Sequence, residues 1–218
     1  MIDAVLFDLD GTLADTAPDM ARTVNAMRVR RGLDPVPLAK VRPFVSRGAR
    51  GMIMSAFEIT TEHPEYASMR EEFLDLYAGN LCVDTCLFPG MDDLLVDLES
   101  RAIGWGVVTN KFERLARPVM AGLGLGERAA VIVGGDTCAR AKPFPDPLLH
   151  AVATMGVAPM NAIYVGDDER DVQAARAAGM PVVAAAYGYL GDGPPPSLWG
   201  ADAVVNSPAA LHAWIREH

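Results

Sequence analysis

Cysteine is scarce in this chain. Cys82, Cys86 and Cys138 are the only three among 218 residues, too few for a disulfide framework. Cys82 and Cys86 are spaced i, i+4, as on one helical face, and a zinc site would need more ligands. All three are expected to be reduced thiols of a cytoplasmic protein. Long apolar runs are missing too: none approaches the ~20 residues of a membrane span. The start, Met1-Ile2-Asp3, lacks the basic region and apolar stretch of a signal peptide, so no membrane association is expected. Positive charge is in deficit. Nineteen Lys and Arg face 28 Asp and Glu, a net charge of −9, which argues against nucleic acid or an anionic membrane as partner. A small anionic substrate stays open, because local charge decides that.

What is present is globular. Hydrophobic residues make up 50% of the chain and charged residues 22%, enough for a sizeable core. The length allows one large domain or one domain with an insert. Short apolar runs at 4–7, 105–108, 130–133, 162–165, 182–185 and 203–205 have the character of buried parallel strands. Helical patterns lie between most of them. Met91, Leu94, Leu95 and Leu98 share one face, as do Leu115, Val119 and Met120, and then Leu148, Leu149, Val152 and Met155. Val172, Ala175 and Ala178 form a small-residue face before Gly179, a helix stop, and Leu211, Trp214 and Ile215 suit a short last helix. The alternation predicts an α/β fold, a Rossmann-like parallel sheet with helices on both sides.

Residues 14–88 break this rhythm and contain no convincing strand. A helix start at Thr16-Ala17-Pro18-Asp19 predicts a helix to Arg31, before Gly32, with others over 49–57 and 65–79. The expected organisation is a small all-helical domain, 15–88, inserted after the first strand of a core made of 1–14 and 89–218. Phe88-Pro89-Gly90 would be the return hinge. The insert holds 10 of the 28 acids but 9 of the 19 bases, so nearly half the positive charge lies there. Arg42, Arg47 and Arg50 flank Gly48. They make either a solvated helix face or an arginine grip on an anionic group, for which guanidinium is suited.

The most telling stretch is Asp8-Leu9-Asp10-Gly11-Thr12, at the end of the first apolar run. Carboxylates at i and i+2 point the same way on extended backbone. Their repulsion is relieved by a cation, so the stretch suits a hard metal ion and a phosphate. Ligands bind beyond the carboxyl ends of strands in open α/β sheets, and three more polar groups fall there. Thr109-Asn110-Lys111 ends the second run, Lys142-Pro143 follows the third, and Gly166-Asp167-Asp168, with Asp171 beyond, ends the fourth. Taken singly, Thr109-Asn110 could cap a helix, Lys142 could be a surface lysine, and the acids of 167–171 could be a solvated helix start. Together they fit attack by a carboxylate on phosphorus. The lysine and hydroxyl would stabilise phosphoryl oxygens, and the second carboxylate would move protons.

In this order the residues resemble the haloacid dehalogenase superfamily of phosphatases, along essentially the whole chain. Asp8-x-Asp10-Gly11-Thr12 matches the first motif, Thr109 the second, Lys142-Pro143 the third, and Gly166-Asp167 with Asp171 the fourth. The resemblance implies Asp8 as nucleophile, Asp10 as general acid and base, and Thr109 and Lys142 as phosphate ligands. It implies Mg²⁺ held by the Asp8 side chain, the Asp10 carbonyl and Asp167, with Asp171 or Asp168 ordering its waters. Asn110, Arg47, Gly48 and Arg50 would bind substrate. The insert matches the superfamily's small cap. Arg47-Gly48-Ala49-Arg50, Trp105-Gly106-Val107-Val108-Thr109-Asn110-Lys111, Gly166-Asp167-Asp168-Glu169-Arg170-Asp171 and Tyr187-Gly188-Tyr189 are similar to the phosphoglycolate phosphatase branch. They are also similar to the related N-acetylmuramate 6-phosphate phosphatase branch, the alternative reading. Asp10 argues against a dehalogenase, which has no alkoxide to protonate. The insert's one lysine, Lys40, is expected in a loop and so argues against a phosphonatase. Sugar-phosphate mutases share the motifs. The implied partner is a small phosphorylated metabolite, and the chain would be a monomer or homodimer. Phosphoacceptor receiver domains combine similar groups, but they are shorter and lack the insert.

Overall fold

The computed structural model describes residues 2–218. The chain opens with β1 (Ala4–Phe7), the two-residue β2 (Ala14–Asp15) and α1 (Ala17–Arg30). There follow α2 (Leu38–Val41), a 3₁₀ turn at Arg42–Arg47, α3 (Gly48–Phe57), α4 (Tyr66–Ala78) and β3 (Cys86–Leu87). The remainder runs α5 (Met91–Ser100), β4 (Gly104–Val108), α6 (Glu113–Gly122), β5 (Val131–Val133) and α7 (Asp146–Met155). It ends with β6 (Ala162–Gly166), α8 (Glu169–Ala177), β7 (Val182–Ala185), β8 (Ala203–Val205) and α9 (Pro208–Glu217). No helix among the described residues is long and apolar enough to cross a membrane.

All six expected core strands form, with ends shifted by no more than a residue. They make one parallel sheet in the order β5-β4-β1-β6-β7-β8. The centre is β1 because its residues are apolar on both sides of the pleat. Val5 and Phe7 enter one core layer with Leu94 and Leu98 of α5 and Leu211 of α9. Ala4 and Leu6 enter the other, with Leu148 and Val152 of α7 and Val172 of α8. A strand with no polar face needs helices on both sides, and alternate residues supply each layer. The order reverses at β1, with β4 on one side and β6 on the other. Crevices for ligands open at such a reversal.

Residues 15–88 build a third apolar cluster. Met20 and Val24 of α1 meet Met52 and Ile53 of α3 and Phe73 and Tyr77 of α4. Three details depart from the sequence expectation. Strands do occur here: β2 and β3 pair antiparallel, Ala14 with Leu87 and Asp15 with Cys86. At two residues each they carry no period to read. Lys40 lies on α2, a single helical turn, and its Nζ is 2.6 Å from Glu58. Cys82 has a φ of 55° in a turn while Cys86 lies in β3, so the two share no helical face.

Asp19 on α1 fastens the end of this segment. Its buried carboxylate accepts N–H bonds from Val83, Asp84 and Thr85 at 2.9–3.0 Å and the Thr85 hydroxyl at 2.6 Å. Burial pushes its pKa up, but these hydrogen bonds outweigh that and hold it below the usual carboxylate range. The stabilisation is therefore present above the unfolded pKa and lost as pH falls through the lower, folded one. Asp19→Ala strands several buried donors, so a loss of about 3 kcal/mol is expected. It would be read as a lower urea midpoint with an unchanged slope. A change under ~0.5 kcal/mol, the ordinary surface value, would deny Asp19 this role.

Candidate active site

The backbone places Asp8 one residue past β1, its N–H donating to the Val165 carbonyl at 2.8 Å. The chain then turns at Gly11, whose φ is +94°. A Cβ there would lie 2.2 Å from Asp167 Oδ2, so both the turn and the approach of Asp167 require glycine. Asp167 leaves β6 fully buried. Its carboxylate accepts from the Thr12 hydroxyl at 2.9 Å, the Tyr189 N–H at 2.7 Å and the Ser46 hydroxyl at 2.8 Å. Asp171 sits in the first turn of α8 and is also buried. Carboxylate oxygens of Asp8, Asp167 and Asp171 lie within 4.8 Å of one another.

Lys142 is the counter-charge. It is 4% exposed. Its Nζ lies 2.7 Å from Asp171 Oδ1 and 3.1 Å from Asp8 Oδ1, and it donates to the Tyr164 hydroxyl at 2.6 Å and the Val108 carbonyl at 3.0 Å. Burial alone would lower its pKa, but Asp171 and Asp8 more than offset that. One ammonium cannot neutralise three carboxylates. Burial, with Asp171 and Asp10 adding to it and Lys142 opposing, raises Asp8 to about 6. Burial and then Asp8 and Asp171 push Asp167 well above its ordinary value. The cluster holds more acid than its one ammonium can balance, and the donors are hard oxygens. That donor set fits a divalent cation of the magnesium type.

Thr109 follows β4 at the same edge, 2% exposed, with its hydroxyl accepting from the Lys111 N–H at 3.2 Å. Asp10 stands apart from the carboxylate cluster. Its Oδ1 accepts from the Thr16 hydroxyl at 2.6 Å and from Lys111 Nζ at 2.8 Å. Lys111 also donates to the Tyr77 hydroxyl on α4 at 3.0 Å. A cavity of about 370 Å³ opens over this edge, its walls including Asp8, Asp10, Thr109, Lys142 and Asp171. Asp167, fully buried, is not among the residues that line it.

The other anticipated residues are placed unevenly. Arg47, Gly48 and Arg50 line the cavity, as does Asn110. The Arg47 guanidinium, however, pairs with Asp192 and lies 5.4 Å from the Phe44 ring centre. The Asn110 amide is engaged at both ends by the Lys142 main chain, at 2.9 and 3.1 Å, which fixes the loop carrying that lysine. Arg42 pairs with Asp15 at 2.9 Å. Asp168 caps α8, accepting from the Arg170 N–H and side chain. Asp171, not Asp168, therefore joins the cluster. Sequence reasoning missed Tyr164, Ser46 and Tyr77, and placed Lys111 at the sheet edge without a role. Tyr164 left a signal, since a hydroxyl inside a buried apolar run needs a partner. Ser46 left none.

A reversed parallel sheet carrying this rim of carboxylates, hydroxyl and lysine defines a hydrolase of the haloacid dehalogenase type. The family model for haloacid dehalogenase-like hydrolases matches residues 5–185, and the chain belongs to that family. It is 51% identical over 212 residues to a phosphoglycolate phosphatase of Xanthomonas campestris pv. campestris, covering 95% of this chain and 94% of that one. It is 44% identical over 210 residues to an N-acetylmuramic acid 6-phosphate phosphatase of Pseudomonas aeruginosa, covering 96% and 93%. Among solved structures, that of a predicted phosphoglycolate phosphatase from Haemophilus somnus superposes with a TM-score of 0.85 at 26% identity, covering 98% of each chain.

Proposed function

We propose that this chain is a cytoplasmic, Mg²⁺-dependent phosphomonoesterase that hydrolyses a small phosphorylated acid through an aspartyl phosphate on Asp8. The observation that carries the reading is the buried Asp8 carboxylate, held 3.1 Å from Lys142 and within 4.8 Å of two further acids at the wall of the cavity. Both relatives named above act on phosphate esters that also carry a carboxylate. Free thiols at Cys82, Cys86 and Cys138 accord with a reducing compartment.

In the first step an Asp8 oxygen bonds to phosphorus and the ester P–O bond breaks. Asp10 gives its proton to the departing alkoxide. In the second step Asp10 takes a proton from water, which attacks phosphorus, and the Asp8–phosphorus bond breaks to release phosphate. Lys142 and Thr109 hold phosphoryl oxygens as charge redistributes. Asp8, the Asp10 carbonyl and Asp167, with Asp171 nearby, would hold magnesium, which would supply charge neutralisation between the attacking carboxylate and the phosphate. Residues 15–88 act as a cap that excludes water from the reaction. Contacts to the sheet edge support this: Ser46 to Asp167, Arg170 to the Ser46 carbonyl at 2.9 Å, and Lys111 to Tyr77.

The test is steady-state phosphate release. Many turnovers per chain are expected with Mg²⁺, none above background after chelation, and recovery when Mg²⁺ is restored in excess. One stoichiometric release would mark a phosphoacceptor instead. Full activity in chelator would remove the metal from the scheme.

A further inference from the structure

The cavity's charges are unequally satisfied. Six cationic side chains line it. Lys111 lies 2.8 Å from Asp10, Lys142 2.7 Å from Asp171, and Arg170 2.7 Å from Asp168, while Arg47 pairs with Asp192. Arg50 on α3 and Arg70 on α4 have no acid within ion-pair distance among the described residues. The two lysines face the nucleophile and its neighbours. The two free guanidiniums belong to the helices on the opposite wall. Arg70 is half-buried, and its guanidinium lies 5.7 Å from the Phe112 ring centre. Stacking on a ring holds the planar fork in place at little entropic cost.

The wall around them is apolar. Met20, Phe73, Leu74 and Leu115 face the same space as Phe112. A volume of 370 Å³ falls within the ~300–1,000 Å³ of pockets that enclose drug-sized ligands. A two-carbon phosphoacid would leave most of that space to water and cover none of the apolar wall. A ligand presenting methyl groups there gains from removing apolar surface from water.

Resting on the phosphomonoesterase reading, we propose that Arg50 and Arg70 clamp the carboxylate of a bulky substrate, a phosphorylated sugar acid with an apolar substituent. Phosphate sits at Asp8 and Lys142. The sugar ring and its substituent fill the space against Leu74 and Phe112. The carboxylate reaches the two unpaired guanidiniums on α3 and α4. Arg70 is thus a specificity-determining residue, and the site selects by size as well as charge.

Three substrates separate these features: N-acetylmuramate 6-phosphate, N-acetylglucosamine 6-phosphate with the same ring but no carboxylate, and 2-phosphoglycolate. The unchanged enzyme is expected to prefer the first over each of the others by ~10- to 100-fold in kcat/KM, the value of a charge-assisted pair. Arg70→Ala should collapse the ratio of the first to the second by a similar factor. The loss should fall on KM, because binding remote from the reacting centre is uniform. Arg70→Lys should restore part of the ratio. If Arg70→Ala fails to fold, Arg50→Ala on its exposed side chain gives the same reading. Preference for 2-phosphoglycolate over the bulky acid would overturn the proposal, as would equal losses on the first two substrates in Arg70→Ala. Release from none of the three, nor from p-nitrophenyl phosphate, would instead remove the phosphatase reading and the clamp with it.

Discussion

Asp8→Asn is expected to lower kcat by about 10⁴- to 10⁶-fold, the usual consequence of deleting a covalent nucleophile, without unfolding the protein. Both halves follow from its surroundings. An amide cannot form the phosphorus–oxygen bond, yet its oxygen can still accept the Leu9 N–H bond that Asp8 Oδ1 receives at 2.8 Å. Asparagine also removes one of the three buried carboxylates. Asp8 is raised to about 6 by burial first and by Asp171 and Asp10 next. A carboxyl with a folded pKa above its unfolded value weakens folding as pH rises from about 4 to about 6. The variant lacks that term. Its melting temperature in chelator at neutral pH should therefore equal or exceed that of the unchanged chain. Phosphate release measures the first half and thermal unfolding the second. Near-native turnover would remove Asp8 as nucleophile, and collapse of the fold would make it a structural residue instead.

What the sequence made legible has a physical boundary. The run Ala-Val-Leu-Phe at 4–7 is apolar at every position, and only a central strand between two helical layers satisfies that, which is where β1 lies. Asp8 and Asp10 were legible because two acids and a glycine interrupt such a run. Short elements were not. The two residues of β2 and of β3 and the single turn of α2 are too brief for any period. Pairings across the chain were invisible as well. Ser46 meets Asp167 across 121 positions and Tyr189 meets Asp15 across 174, and nothing local marks either pairing. Asn110 illustrates a subtler limit. The resemblance implied contact with substrate, and Asn110 lines the cavity, but that its amide is held by the main chain of Lys142 could not be read from the sequence. Residue type and location at the sheet edge were readable, but the partner each side chain takes depends on loops whose paths the sequence does not reveal.

Lys142→Met should abolish measurable turnover and, unlike Asp8→Asn, should also destabilise the fold. The stem is replaced, so packing survives, but the only cation among the described residues that pairs with Asp8 and Asp171 is gone. The Val108 carbonyl and Tyr164 hydroxyl lose a donor with it. Breaking a buried pair by removing one partner costs about 3–5 kcal/mol. The cost should depend on pH with a definite sign. Burial and mutual repulsion place the folded-state pKa of Asp8 at about 6, and that of Asp167 well above its ordinary value, so the folded chain binds more protons than the unfolded one. Stability from these groups then rises as pH falls through the folded pKa. Lys142 opposes this by pulling Asp8 down, and without it the proton uptake begins at higher pH. The deficit of the variant in chelator should accordingly be largest near pH 8 and shrink markedly by pH 5.5, where protons take over the role of the missing ammonium. Added Mg²⁺ should shrink it at pH 8 by the same logic, through binding to the folded state alone. Urea midpoints at the two pH values measure the effect. A deficit that is the same at both, or that Mg²⁺ leaves untouched, would show that Lys142 fills space in the core rather than balancing the charge of the carboxylates around it.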